Sequence, residues 1–277
     1  MNLYKELTFA REAILRAETE IRQVRKSGNF DVRFKPDGSP YTKADPLAER
    51  LIRDYLLTEF PGDGFEGEEL PKIQSTNGRI WRCDPIDGTW SFINFEDTVA
   101  TALSLHQINP DGSEKVVLAL INNLFSAEKL YIAGEGIKTT LDGNQLPDIS
   151  RDPSKLIVNY NISPNHSSDI SEIMKLWTPK GPIVKAVSIL GSAAYSLSHI
   201  AKGSHDIYVT SLANPFKVWD VAAGIYLIQK TGGVVTNLDG DPITQDETVI
   251  VAAKSPEHHA QFLEHITKTE FGKRYQR

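Results

Sequence analysis

Asp84-Pro85-Ile86-Asp87-Gly88-Thr89 sets two carboxylates three residues apart, with a rigid proline between them and a glycine and a hydroxyl behind them. Carboxylate and carbonyl oxygens are the ligands that hard divalent cations prefer. Upstream, Trp81-Arg82-Cys83 reads as the end of a buried strand. Downstream, Trp90-Ser91-Phe92-Ile93 reads as the start of a helix whose free N–H groups attract an anion. A metal and a phosphate would then meet at one strand end. Taken alone, Asp-Pro and Asp-Gly are also ordinary turn formers, so the hexapeptide needs partners before it means chemistry.

Two further segments supply them. Gly67-Glu68-Glu69, behind Phe65, offers a second carboxylate pair near a turn, and Trp219-Asp220-Val221-Ala222-Ala223-Gly224 places an acid at the start of an apolar helix. Together with Lys35-Pro36-Asp37-Gly38-Ser39-Pro40-Tyr41-Thr42-Lys43-Ala44-Asp45 and Gly191-Ser192-Ala193-Ala194, these motifs follow the order found in one family. The chain resembles the inositol monophosphatase family, a superfamily of magnesium-dependent, lithium-sensitive phosphatases, over most of its length.

The resemblance implies an α/β (α+β) fold in αβαβα layers, with an antiparallel N-terminal sheet and a mixed C-terminal sheet. It implies that Glu68, Asp84, Asp87 and Asp220, with the Ile86 carbonyl, bind two or three Mg2+ ions, and that Li+ inhibits. Asp45 and Thr89 are implied to orient and deprotonate the attacking water. Gly88 and Thr89 would face the phosphate, and Gly191, Ser192, Ala193 and Asp220 would line the substrate pocket. Lys35 fits either a contact with the phosphate or the metal-loop network, or a flexible surface position. A homodimer is a further implication. For Asp45 and Asp220 a structural role, complementing a helix N-terminus, competes with the catalytic one.

Composition bounds the alternatives. A chain of 277 residues can build a sizeable core, and a formal charge of −6 gives no reason to expect a nucleic-acid polymer or an acidic membrane as partner. No apolar run nears the roughly 20 residues that cross a bilayer, and the N-terminus mixes Glu with Arg, so the expectation is a soluble cytoplasmic protein. The sole cysteine, Cys83, can form no intrachain disulfide and is expected to pack in a strand.

Leu3, Leu7, Ala10, Ile14, Ala17, Ile21 and Val24 recur at helical spacing, and a second helix is expected after Thr42. Strand-like runs at 98–105, 115–121 and 129–132 predict an antiparallel sheet. The polar stretch 148–154 divides an N-terminal region, 1–150, from a C-terminal α/β region, 151–277. In the latter, strands at 156–159, 183–187, 206–209, 233–235 and 248–253 alternate with helices at 168–177, 191–201 and from Lys217. Asn161-Ile162-Ser163 and Asn165-His166-Ser167 match glycosylation sequons. His258, His259 and His265 are expected on a solvated helix face, and Lys273, Arg274 and Arg277 in an exposed basic tail.

Substrate identity is less legible. Trp90 to Asp97 departs from the Gly- and Pro-containing approach frequent in the family, and 210–216 lacks the acid that inositol-selective relatives carry there. A small phosphate monoester is the expected substrate, with inositol monophosphate the family-level choice and histidinol phosphate or a 3′-phosphorylated nucleotide (3′(2′),5′-bisphosphate) the alternatives. Glu96 and Asp97 suit either a cationic substrate or simple solvation. A noncatalytic metal- and phosphate-binding regulator is the reading from a different class.

Overall fold

A computed structural model describes the chain except Met1, Asp148, Ser150, Pro153, residues 163–166 and 178–182, Ala213, Asn214, Gln245 and Arg277. Both sequons run into the undescribed residues, as do parts of 148–154 and 210–216.

Helix α1 (Tyr4–Ser27) buries the stripe Ala10, Ile14, Ala17 and Ile21, and stops at Gly28 in the left-handed conformation that suits a helix end. A two-stranded hairpin, β1 (Arg33–Phe34) and β2 (Pro40–Tyr41), leads to α2 (Ala44–Glu59), which lies against α1. Seven strands then pair in chain order: β3 (Gly64–Gly67), β4 (Arg79–Asp87), β5 (Ala100–Ile108), β6 (Glu114–Asn123), β7 (Leu130–Gly134), β8 (Ile137–Leu141) and β9 (Asn144–Gln145). The short helix α3 (Thr89–Ile93) follows β4 directly. All neighbours in this sheet are antiparallel except β3 and β4, which run parallel. Gly67 ends this edge strand, and Glu68, Glu69 and Leu70 form the bend just beyond it, where the sequence placed a turn.

The second sheet joins β10 (Leu156–Ile162), β11 (Val184–Ser188), β12 (Ile207–Ser211), β13 (Val234–Thr236) and β14 (Val249–Ala253) in the order β11-β10-β12-β14-β13. It is mixed, with β10 parallel to β11 and β12, and β14 antiparallel to β12 and β13. Helices α5 (Ala193–Lys202) and α6 (Val218–Lys230) fill the space between the sheets, while α4 (Ser167–Leu176), α7 (Pro256–Ile266) and α8 (Glu270–Tyr275) cover the far face of the second. The αβαβα layering expected from the sequence is thus the observed one.

Period-two alternation sorts strand residues between the layers. On β5, Leu103 and Leu105 face α1 and α2, whereas Ala100 and Ala102 face α5 and α6. Small residues on that inner face let helices approach closely and leave room for polar side chains. Cys83 packs in the outer core, fully buried, as expected.

One surface expectation is corrected. His258 and His259 are buried, because α7 seats that side on the second sheet: His258 Nδ1 pairs with Ser255 Oγ at 2.6 Å and His259 Nε2 with Thr236 Oγ1 at 2.8 Å. Lys273 and Arg274 are exposed, as expected of the basic tail, while Arg274 Nη1 also donates to the buried Asp169 at 2.5 Å where α8 folds back against α4.

Candidate active site

Residues three apart on a regular strand point to opposite faces, so Asp84 and Asp87 should not meet. They do, because β4 carries an extra residue between them: Asp84 pairs with Ala102 and Asp87 with Ala100, three steps against two. Such a bulge re-aims a side chain, and Pro85, which has no N–H to give a ladder, sits within it. Thr101 Oγ1 donates to the Pro85 carbonyl at 2.8 Å, and the Ile86 amide donates to Asp84 Oδ1 at 3.0 Å. Both acids now face the layer between the sheets.

Asp220, in the first turn of α6, and Glu68, just past β3, complete the cluster. Ligand oxygens of Glu68, Asp84 and Asp220 lie within 4.8 Å of one another. Asp87 falls outside that trio but lines the same cavity of about 190 Å3, with Gly88, Thr89 and the three clustered acids. Its Oδ2 is held by the start of α5, accepting from Ser192 Oγ at 2.7 Å and from the Ala194 amide at 2.5 Å. Burial still pushes its carboxyl up to about 6, against the lowering effect of those donors. Asp84 and Asp220 are raised well above the carboxylate range, first by burial and then by the charges of Glu68 and Asp87.

All-oxygen donors that oppose their own ionisation fit a hard divalent cation, since its charge offsets the repulsion that otherwise protonates them. In the chain as it stands, Lys35 Nζ supplies part of that charge, donating to Glu68 Oε1 at 2.6 Å and Glu69 Oε1 at 2.7 Å. Burial lowers the Lys35 ammonium, but the two glutamates outweigh it and hold it above the usual lysine range.

Asp45 is buried at the start of α2, its Oδ2 accepting from the Thr42 amide at 2.8 Å and the Thr42 hydroxyl at 2.6 Å. Its other oxygen, Oδ1, accepts from Thr89 Oγ1 at 3.4 Å, and the same hydroxyl reaches the Ile86 carbonyl at 3.2 Å. Burial, opposed by Thr42, pushes Asp45 up to about 7. An acid poised near neutrality beside a hydroxyl at the cavity wall suits proton transfer.

Of the residues expected to line a substrate pocket, Gly191 stands at the cavity and Ser192 is fully buried, occupied with Asp87. Ala193 is buried in the α5–α6 core. Glu96 accepts from Ser91 Oγ at 3.1 Å and Asp97 pairs with Arg25 at 3.2 Å, so both acids are engaged within the chain.

Glu49 was missed. Fully buried on α2, it accepts from the Glu69 amide at 2.8 Å and the Leu70 amide at 3.0 Å, clamping the turn that presents Glu68. A Cβ on Gly67 would lie 2.4 Å from its carboxyl carbon, so only glycine admits the clamp. Burial pushes Glu49 up to about 7, with the two amides pulling the other way. The signal was present: Glu49 stands four residues after Asp45, on the helix face that also buries Ile52 and Leu56.

The comparisons with known proteins agree with this geometry. The chain is 29% identical over 232 residues to an inositol-1-monophosphatase of Bacillus subtilis, spanning 80% of this chain and 82% of that protein. It is 28% identical over 234 residues to a histidinol-phosphatase of Chlorobaculum parvum, spanning 82% and 83%. The solved Thermotoga maritima IMPase shares the fold, with a TM-score of 0.81 at 22% identity over 98% of this chain and 100% of that one. The family model for the inositol monophosphatase family matches residues 3–270. The chain belongs to the inositol monophosphatase family and is a metal-dependent phosphoric monoester hydrolase.

Proposed function

We propose that the cavity at the end of β4 hydrolyses a small phosphate monoester, with Glu68, Asp84, Asp87, Asp220 and the Ile86 carbonyl holding two or three Mg2+ ions. The observation that carries this reading is the gathering of Glu68, Asp84 and Asp220 within 4.8 Å despite the burial that raises Asp84 and Asp220. Bound there, magnesium supplies Lewis-acid stabilisation of phosphoryl oxygens and lowers the pKa of water. Asp45 accepts the water's proton, and Thr89, hydrogen-bonded to Asp45, fixes the line of attack. Gly88 and Thr89, which line the cavity, present their amides to the phosphate.

Inositol monophosphate is the family-level substrate. Histidinol phosphate stands beside it, because a histidinol-phosphatase and an inositol-1-monophosphatase resemble this chain almost equally. The test is phosphate release from inositol 1-phosphate, histidinol phosphate and a 3′,5′-bisphosphorylated nucleoside, with magnesium and with a chelator. Magnesium-dependent release from at least one is expected. Binding of metal and ligand without release would replace the enzyme with a regulator. The metal motif also supports lithium inhibition, and an unchanged rate at high lithium in saturating magnesium would reject that part. A homodimer, supported by the family resemblance, is read by light scattering.

A further inference from the structure

The cavity over the acids measures about 190 Å3, below the roughly 300–1,000 Å3 of pockets that enclose a whole small molecule. A phosphate and its cations fill such a volume, so the alcohol portion of the substrate must project past the rim. Trp90, one residue beyond Thr89, lines the cavity and is 55% exposed. Phe34, on β1, is 62% exposed and lies against Trp90, with ring centroids 6.2 Å apart and planes tilted by 49°. Its strand partner Pro40 also lines the cavity. Two large aromatic side chains thus stand in solvent beside a pocket walled mainly by acids, glycines and the hydroxyl residues Ser39 and Thr89. Isolated exposed apolar residues are common, but an adjoining pair at a reaction site marks a binding surface.

Resting on the phosphomonoesterase reading above, we propose that Trp90 and Phe34 form a shelf that selects phosphate esters whose alcohol carries a planar aromatic ring. An indole face gains from a stacked or edge-on ring beyond what equal apolar area provides, whereas a saturated ring of the same size offers only area.

The experiment compares 2-phenylethyl phosphate with 2-cyclohexylethyl phosphate, whose leaving groups are alike in basicity and bulk. Expected is a kcat/KM ratio favouring the phenyl ester by roughly three- to tenfold, carried mainly in KM. Trp90→Ala and Phe34→Ala should each bring that ratio toward one, while Trp90→Phe largely retains it. A ratio near one in the unaltered enzyme overturns the shelf, as does a ratio that Trp90→Ala and Phe34→Ala leave intact. Hydrolysis of inositol 1-phosphate alongside inert phenyl and cyclohexyl esters sinks the shelf but leaves the phosphomonoesterase standing. Failure of every ester with magnesium present removes both.

Discussion

At the scale of single residues, the site rests on side chains whose placement and charge are separately controlled. Asp87 illustrates this, with one oxygen held by Ser192 and the Ala194 amide and the carboxylate left at the cavity wall. Asp87→Asn keeps an acceptor for those donors but loses the charge. It is expected to lower kcat at least about 100-fold with the far-UV circular dichroism unchanged. Near-normal turnover at unaltered magnesium occupancy would contradict the role. Glu49 does not line the cavity over the acids, so Glu49→Gln should act through the Glu68 turn. A glutamine amide would face the Leu70 or Glu69 N–H with a donor of its own. Magnesium required for half-maximal rate should rise about tenfold or more, with the rate largely recovered at saturation. A shift in melting temperature with an unmoved magnesium curve would make Glu49 merely structural.

Among elements, the crossing of α5 and α6 matters most, since one helix holds Asp87 and the other carries Asp220. Their close approach depends on Gly224, where an added Cβ would lie 2.5 Å from the Leu197 Cβ. Gly224→Ala must push the helices apart, at about 1–3 kcal/mol in urea unfolding. Adding Leu197→Ala, which removes the Cδ1 that the new Cβ would meet at 2.6 Å and alone opens a cavity, should cost less than the sum of the two changes. Strict additivity would show that the Leu197 side chain beyond its Cβ does not set the crossing. The α2 helix is a second such element, since one buried face carries both Asp45, the proposed proton acceptor, and Glu49, the Glu68 clamp.

Over the whole molecule, the acids concentrate an electrostatic cost that only cations remove. Asp45 and Glu49 are pushed up to about 7 and Asp87 to about 6, burial being the largest cause in each case. Between the ordinary carboxylate range near 4 and those values, the folded chain holds protons that the unfolded chain has released. Stability from these groups therefore falls as pH rises through that window and stays low above it. Magnesium binds the folded, deprotonated site, so the melting-temperature increment it produces should be small at pH 5 and large at pH 8. Taking the difference with and without metal cancels the buried histidines, which titrate in the opposite sense. An increment independent of pH would mean that protons and metal do not compete for one site.

Local pattern by itself determined a good deal of this protein: the long amphipathic first helix, the strands on either side of Asp84, the apolar helix opening at Asp220, and the carboxylate chemistry of the motifs. Those features follow from hydrophobic period and turn chemistry, which neighbouring residues carry among themselves. The β4 bulge, the parallel edge pair β3–β4, the burial of His258 and His259 and the pairing of Arg274 with Asp169 were decided only in three dimensions. Each depends on what packs against the segment from far along the chain. Glu49 lies between these cases, legible as an acid on a buried face but interpretable only once Gly67 is brought against it. Residue order names the groups able to hold a cation; long-range packing alone sets the distance between them and the water they exclude, and those two quantities fix their charge.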